Sequence, residues 1–442
     1  MSSQLIYPFS FGDRGQSDLL GGKGANLAEM VRIGLPVPPG FTITTEACQQ
    51  FLATGEVPKG LASEIDASLK VLEKSLDKEF GNPNKPLLVS VRSGAKFSMP
   101  GMMETVLNVG MTPEVTEQMA IRTGDSRFAW DSYRRFVDMY ARIVCDVPQA
   151  EFHKIENRVL ASFGAATIQE LEAGGLKSLA DGYKKVSEAL TGEIFPVDPR
   201  EHLMKSVEAV FHSWNSERAQ LYRRRERIPS DLGTAVNIQS MVFGNLSDDS
   251  GTGVAFTRNP ATGEQGSYGD YLQRAQGEDV VAGIRNTMSL AEFNELSPKV
   301  YGELDRVMTL LEDHYRDLCD IEFTVEEGKL WILQTRVGKR TAEAAFRIAI
   351  QLVDEGKISM DEALVRTSGD QLAQLMFPQF DLSGSTAPIA TGIPASPGAA
   401  VGEVVFDSRR AFDLARSGKK VILVRRETSP DDLVGMVASE GI

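Results

Sequence analysis

Along the first 110 residues, short runs of β-type alternation trade places with helical periodicity. Leu27, Met30 and Val31 recur at i, i+3 and i+4, one apolar helix face. Gly34 closes that helix, and LPVPPGFTIT then turns into a strand. LLVSVRS, residues 87–93, predicts a strand running into the Gly/Pro/Met-rich segment SGAKFSMPGMMET. Residues 111–227 read as mostly helical. Within them Trp130, Tyr133, Phe136, Val137 and Tyr140 form a helical stripe whose plain reading is core packing.

From Gly233 the pattern returns to strands: TAVNIQSMVFG, GTGVAFTRNP, IEFTV and LWILQTR. Residues 341–376 are helical again, with Ala345, Ile348, Ala349, Leu352 and Val353 on one face. Ser359 and Glu362 have the spacing of a capping box. FPQFDLSGSTAPIATG, near residues 377–392, has the composition of a linker. A new unit opens at IPASPGAAVGEVVF and continues through KKVILVRRETSP.

Composition narrows the class. The 442 residues allow about two to four domains. The apolar and charged fractions, 42% and 24%, are those of a soluble globular chain. A net charge of −14 argues against non-specific binding to nucleic acid or an anionic membrane. Cys48, Cys145 and Cys319 stand too far apart for a thiolate metal motif or a disulfide framework, and they read as reduced thiols. No stretch reaches about 18 consecutive apolar residues, and MSSQLIYPFSFGDRG lacks the regions of a secretory signal. A cytoplasmic enzyme is the expectation.

The strongest chemical pattern is the hairpin over 319–337. Side chains alternate along a strand, so Asp320, Glu322 and Thr324 share one face, and Ile321, Phe323 and Val325 the other. Burying the large apolar residues of both strands together, Trp331 and Leu333 included, sets a register with a three-residue loop, Glu327-Gly328-Lys329. Asp320, Glu322, Gln334 and Arg336 then converge. Two carboxylates and an amide oxygen suit magnesium, which keeps substrate phosphates in its shell, and the arginine fork suits those phosphates. A solvated strand face with a cross-strand ion pair is the alternative.

Three glycine-rich segments add phosphate-type features. LLGGKGANLAEM sets Gly21, Gly22 and Gly24 around Lys23 before a helix. It is not a Walker A motif, because Gly24 follows the lysine and Asp18 stands at the first-glycine position. SVRSGAKFSMPGMM offers Arg92 at a strand end and Lys96 in the segment after it. SGTGVAFTRNP places Gly251, Thr252 and Gly253 before a strand, either as a flap over phosphates or as a hairpin turn. His153, His202, His212 and His314 all fall in helical segments without metal-ligand or triad spacing.

Taken together, GGKGANLAEM, SVRSGAKFSMPGMMETVLNVG, FAWDSYRRF, SGTGVAFTRNPATGE, AQGEDVVAGIR and IEFTVEEGKLWILQTRVGKRTA resemble the nucleotide-binding domain of the pyruvate, phosphate dikinase family. IPASPGAAVGEVVF and VILVRRETSPDDLVGM resemble the opening of its swivelling phosphohistidine domain. The resemblance implies an α/β (α+β) chain with an ATP-grasp nucleotide-binding domain and a helical insertion, then a linker and a truncated swivelling phosphohistidine domain. The expected parts are an N-terminal ATP-grasp lobe over 1–110, the insertion over 111–227 and a C-terminal lobe with the metal site over 228–340. A helical segment and linker over 341–389 and the incomplete carrier over 390–442 follow. The implied chemistry is transfer of a pyrophosphoryl group from magnesium-ATP to a histidine. Phosphate then takes one phosphoryl group, and pyruvate is converted to phosphoenolpyruvate on a separate barrel.

Carried onto this chain, the resemblance gives Lys23, Arg92 and Lys96 phosphate contacts, although the family usually has arginine where Lys96 stands. It makes Asp320, Glu322 and Gln334 the metal ligands and Arg336 the catalytic arginine at the transferring phosphoryl group. Glu322, Gln334 and Arg336 thereby also line the ATP site. Gly251, Thr252 and Gly253 would cover the phosphates, Glu278 and Asp279 would lie near the nucleotide, and Gln239, Met241 and Val242 would line the adenine pocket. Magnesium is the implied cofactor, with a monovalent cation left open. ATP or AMP, phosphate, pyruvate and phosphoenolpyruvate are the implied partners, without nucleic acid or membrane. The parent would associate through the barrel, and this chain alone would be a monomer. The phosphorylated histidine is expected beyond Ile442, so the chain by itself would bind ATP without completing the reaction. Phosphoenolpyruvate synthase and rifampicin phosphotransferase share the ATP and histidine domains, and a non-catalytic ATP-binding fragment is a third reading. The SMPGMM run favours the dikinase.

Overall fold

The computed structural model describes residues 4–99, 101–281, 287–377, 398–425, 428 and 432–442. The proposed linker over 377–392 lies outside them except for Phe377. The chain divides into two compact units, residues 1–247 and 248–442.

The first unit begins with β1 (Ile6–Pro8), α1 (Ser17–Arg32), β2 (Gly40–Ile43), α2 (Thr45–Thr54) and α3 (Leu61–Leu76). Short strands β3 (Glu79–Phe80) and β4 (Pro86–Leu87) precede β5 (Val89–Gly94) and β6 (Thr105–Val109). Six helices follow: α4 (Pro113–Thr123), α5 (Ser126–Ile143), α6 (Gln149–Phe163), α7 (Ala173–Thr191), α8 (Pro199–Ser213) and α9 (Glu217–Glu226). The chain then returns to the sheet as β7 (Ala235–Ser240). The sheet order is β1-β2-β7-β5-β6, antiparallel throughout. The last strand in sequence is therefore central, and its burial depends on everything that precedes it. Helix starts follow local rules. Thr44, Thr112 and Asp125 cap α2, α4 and α5 through side-chain oxygens, and Pro113 occupies the first turn of α4. The α5 stripe from Trp130 to Tyr140 is buried against the sheet and α7, as its periodicity predicts.

The second unit holds β8 (Gly251–Arg258), β9 (Gln265–Gln273), α10 (Gly277–Val281), β10 (Met288–Ser289), α11 (Leu290–Leu296) and α12 (Pro298–Tyr315). The hairpin β11 (Cys319–Glu326) and β12 (Lys329–Val337) completes a second antiparallel sheet, ordered β10-β9-β8-β11-β12. Strand β9 escapes sequence reading because QGSYGDYLQ is polar and glycine-rich, with its first four residues exposed. The apolar face of this sheet is closed by aromatic packing, with Tyr271 stacked on Phe293 at 4.0 Å and Phe323 alongside.

Helices α13 (Ala342–Asp354), α14 (Met360–Arg366) and α15 (Gly369–Leu375) follow, with the Ser359–Glu362 capping box formed. Behind the sheet a charge network ties β8 to α12 and α13. Arg258, 3% exposed, reaches Glu312 at 2.7 Å, Glu355 at 2.6 Å and Gln351 at 2.8 Å. Lys357 joins Glu312 at 2.8 Å. The last described segment makes a small βαβ unit. In it β13 (Glu403–Val405) and β14 (Val421–Leu423) pair in parallel, α16 (Ser408–Arg416) lies between them, and α17 (Leu433–Ala438) packs on α16. No helix among the described residues is long and apolar enough to cross a membrane.

Candidate functional site

In the first unit the glycine-rich segment stands at a break within α1, at the start of the helical stretch that follows it, as expected. Gly21 has φ 66 and ψ 167 inside α1, so the helix breaks there and restarts at Gly22. The break is enforced by close packing on the end of β5. A Cβ on Gly21 would sit 1.5 Å from the carbonyl oxygen of Gly94, and one on Gly22 2.9 Å from that of Lys96. The Gly22 amide donates to Ala95 O at 3.0 Å. That amide is therefore spent inside the protein. What this arrangement presents is Lys23 beside the strand end that carries Arg92.

Beneath them lies a residue that sequence reading passed over. Asn237, fully buried on β7, faces Arg92 in register, and its Oδ1 accepts from Thr42 at 2.9 Å. The same amide group fills the space where side chains on Gly24 and Gly94 would stand. Only an asparagine set between the apolar Val236 and Ile238 of TAVNIQS hints at it.

The remaining first-unit candidates divide. Lys96 pairs with Asp18 at 2.5 Å, so its charge already has a counter-ion. Gln239 is buried on β7 and donates to Pro38 O at 3.1 Å, a strand-to-loop tie. Met241 donates its amide to Leu88 O and packs against the core, and half-buried Val242 follows β7.

In the second unit the hairpin brings its four polar residues together as register predicts. Asp320 faces Arg336 and Glu322 faces Gln334. Arg336 donates from Nε at 2.7 Å to Asp320 Oδ2 and lies 2.6 Å from it through Nη2. Gln334 Nε2 donates to Glu322 Oε1 at 3.1 Å. The route to that register differs from expectation. The turn is the two residues Glu327 and Gly328, with φ 48 and 74, the double positive-φ turn that matches strand twist. A β-bulge between Glu322 and Phe323 takes up the extra residue. Beyond the bulge the frame shifts by one. Leu330 and Ile332 go to the core, and Trp331 faces Thr324 in place of the expected core position.

Asp320 is 7% exposed. Burial raises its carboxyl above the ordinary value, and the Glu322 charge adds to this, against the lowering effect of Arg336. A carboxylate held charged with difficulty gains from a cation. Its Oδ1 takes no bond among the described residues, and Gln334 keeps a free carbonyl oxygen. Among the described residues no three His, Cys, Asp or Glu side chains converge. Two carboxylates and an amide nevertheless fit magnesium, which is commonly held by one or two carboxylates plus phosphate oxygens.

Gly251, Thr252 and Gly253 lie in strand β8 itself, not in a loop. A Cβ on Gly251 would meet the Tyr271 hydroxyl at 2.0 Å, and one on Gly253 would meet Phe323 at 2.6 Å. Thr252 bonds Phe323 O at 3.1 Å and Thr324 Oγ1 at 3.2 Å. Glu278 and Asp279 occupy the single turn of α10 against β8, where Asp279 accepts from the Gln276 amide at 2.9 Å. His153, His202, His212 and His314 lie in α6, α8, α8 and α12; His202 is buried, and burial holds its imidazole below its ordinary value.

Residues 17–74, 54–294 and 287–357 match the family described as pyruvate phosphate dikinase, AMP/ATP-binding domain. The chain is 50% identical over 444 residues to a pyruvate, phosphate dikinase of Clostridium symbiosum, covering 100% of this chain and 51% of that one. It is 51% identical over 435 residues to pyruvate, phosphate dikinase 2 of Oryza sativa subsp. japonica, covering 98% and 49%. It is 48% identical over 457 residues to the enzyme of that name from Rhizobium meliloti (strain 1021), covering 100% and 51%. The chain thus spans about half the length of the curated relatives it matches. With most of the described sheet and helix residues inside the matched regions, the chain belongs to the pyruvate, phosphate dikinase family.

Proposed function

We propose that this chain is the ATP-binding portion of a dikinase. In that reaction ATP, phosphate and pyruvate become AMP, diphosphate and phosphoenolpyruvate, through a phosphohistidine that none of its four histidines supplies. The single observation that carries the reading is the convergence of Asp320, Glu322, Gln334 and Arg336 on one strand face. The two five-stranded antiparallel sheets support an ATP-grasp arrangement, and the small βαβ unit supports the start of a carrier domain.

Asp320, Glu322 and the Gln334 carbonyl would hold magnesium. When bound, the metal neutralises phosphate charge as it redistributes during transfer. The protein's own part is positioning. Gln334 spends its amide N–H on Glu322 and so orients that carboxylate. Arg336 brings a planar donor fork to the face and can grip a phosphate in the same geometry it uses on Asp320. Within the first unit, Lys23 and Arg92 are the cations suited to phosphate, and Asn237 holds the backbone from which they project. Phosphoryl transfer asks little covalent chemistry of a protein, so placing charges is the greater part of the function.

Calorimetry with ATP, with and without magnesium, tests this. Wild-type chain is expected to bind magnesium-ATP more tightly than ATP alone, and an Asp320→Ala, Glu322→Ala double variant to lose that difference. Unchanged magnesium dependence in the double variant would remove the metal assignment.

A further inference from the structure

The second unit contains a cavity of about 470 Å³ that the nucleotide chemistry does not use. It opens where β12 ends, at Val337 through Arg340, and its far walls come from α13, α14 and α15. One wall is apolar: Ala345, Ile348, Ala349 and Leu352 line it at the i, i+3, i+4 and i+7 positions of α13. The rest is cationic. Lys339, Arg340 and Arg366 line the cavity against a single carboxylate, Asp317.

The hydrogen bonds show what remains available. Asp317 Oδ1 accepts from the Leu318 amide at 2.8 Å and from Arg340 Nη1 at 2.5 Å. Arg340 Nε donates to Gly338 O at 3.1 Å. Arg366 Nη1 is committed to Arg316 O, and the Gln371 oxygen to the Ser368 amide at 2.9 Å. Asp317 Oδ2 lies 3.7 Å from Arg366 Nη1. Lys339 Nζ, Nη2 of both arginines and Nε2 of Gln371 are left without a bond among the described residues, so donors outnumber that one acceptor oxygen. Arg340 and Asp317 are 14% and 13% exposed, so the pair is held rigid and partly dry.

We propose that this cavity binds a small organic anion, a phosphate or carboxylate joined to a compact apolar body. The charge imbalance and the surplus of donors select the anion. The apolar wall and a volume in the range of small-molecule sites, well above that of a bare inorganic ion, select the attached body. A ligand seated there is gripped by Lys339 and Arg340, residues on the same stretch of chain as Arg336. The site is independent of the nucleotide reading.

Calorimetry on the 442-residue chain with phenyl phosphate, benzoate, inorganic phosphate and benzyl alcohol tests the assignment. At least one of the two aromatic anions is expected to bind about tenfold tighter than either inorganic phosphate or the neutral alcohol, and the stronger of them identifies the head group. A Lys339→Ala, Arg366→Gln double variant should weaken that binding about tenfold while leaving ATP affinity unchanged. Exposed Lys339 makes no bond that folding needs, so Lys339→Ala alone keeps the test decisive if the double variant folds poorly. The proposal is overturned if neither aromatic anion outbinds phosphate and the alcohol, if binding survives Lys339→Ala unchanged, or if ATP displaces the ligand.

Discussion

The two units are built on similar sheets, five antiparallel strands each, yet they present opposite charges by opposite means. In the first, cations project from backbone squeezed so tightly that glycine is obligatory: Gly21 against Gly94, and Gly24 against Thr42 and Asn237. In the second, carboxylates stand on an ordinary strand face and are aimed by register, while a charge network behind the sheet secures the strand next to it. The first arrangement is sensitive to volume and the second to charge and frame. A phosphate site needs donors near the backbone, and only the absence of side chains allows that approach. A metal site needs side-chain oxygens at fixed spacing, which a pleated strand supplies without special residues.

The sharpest way to break this contrast is Gly21→Ala. With positive φ and a Cβ 1.5 Å from a carbonyl oxygen, the variant should lose about 4 kcal/mol or more in urea melts. Gly34→Ala, also at positive φ but with nothing within 4 Å, should lose only about 1 kcal/mol. Equal losses would show that the backbone angle matters and the packing does not.

Next in size is Arg258→Met, which leaves Glu312 and Glu355 to share Lys357 alone and should cost about 3 kcal/mol. The pH dependence adds detail. Burial would raise Glu312, but hydrogen bonds from Arg258 and Lys357 outweigh it, and Glu355 is lowered chiefly by its bond to Arg258. Depressed carboxylates stabilise above their ordinary value of 4.5, and that stability is lost as pH falls through the lower folded values. Lys357 has the opposite sign. Burial opposes its charge, yet bonds to Glu312 and Asp313 push it up to about 12, so its contribution holds below 10.5 and disappears as pH rises through 12. The contribution of this network should therefore be flat between these limits, with Arg258→Met unfolding at a higher pH on the acid side. An unshifted acid transition would show that the network contributes nothing.

Asp320→Asn should go the other way. A carboxyl raised by burial is a liability in the absence of a cation, so the amide should stabilise the chain by about 1 kcal/mol in thermal melts while abolishing the effect of magnesium on ATP affinity. A destabilised variant would show that the Arg336 pair outweighs the burial.

The smallest effect concerns Lys96. Its pair with Asp18 is largely exposed and contributes little to stability, so Lys96→Ala should leave melting unchanged. If Lys96 reaches a phosphate, ATP binding should weaken by about 1–3 kcal/mol, more than in Lys329→Ala, whose ammonium lies on the Trp331 ring. Equal, negligible losses would make Lys96 a surface lysine.

Much of this was legible in advance where the signal is local. The α5 stripe, the Ser359 capping box and the pairs Asp320–Arg336 and Glu322–Gln334 all depend on side-chain periods of a helix or a strand. The hairpin also shows how a correct pairing can rest on an incorrect loop. Register counted back from the site implies three turn residues, whereas strand twist prefers two, and the bulge reconciles them. Strand β9 and Asn237 stayed hidden because a polar strand and a buried asparagine make sense only once their neighbours are known.

What the sequence alone determined is which chemistry is present: carboxylates two apart, an amide and an arginine two apart, and cations among glycines, in runs that resemble the dikinase family. The tertiary structure decided which of those groups remain available. It committed Lys96 to Asp18, Gln239 to Pro38 and the Gly22 amide to Ala95, and it placed Gly251 to Gly253 inside a strand. Periodicity is set over a few residues, but a hydrogen bond is used up by whatever partner the fold delivers. For Thr42 and Asn237 that partner lies 195 residues away along the chain.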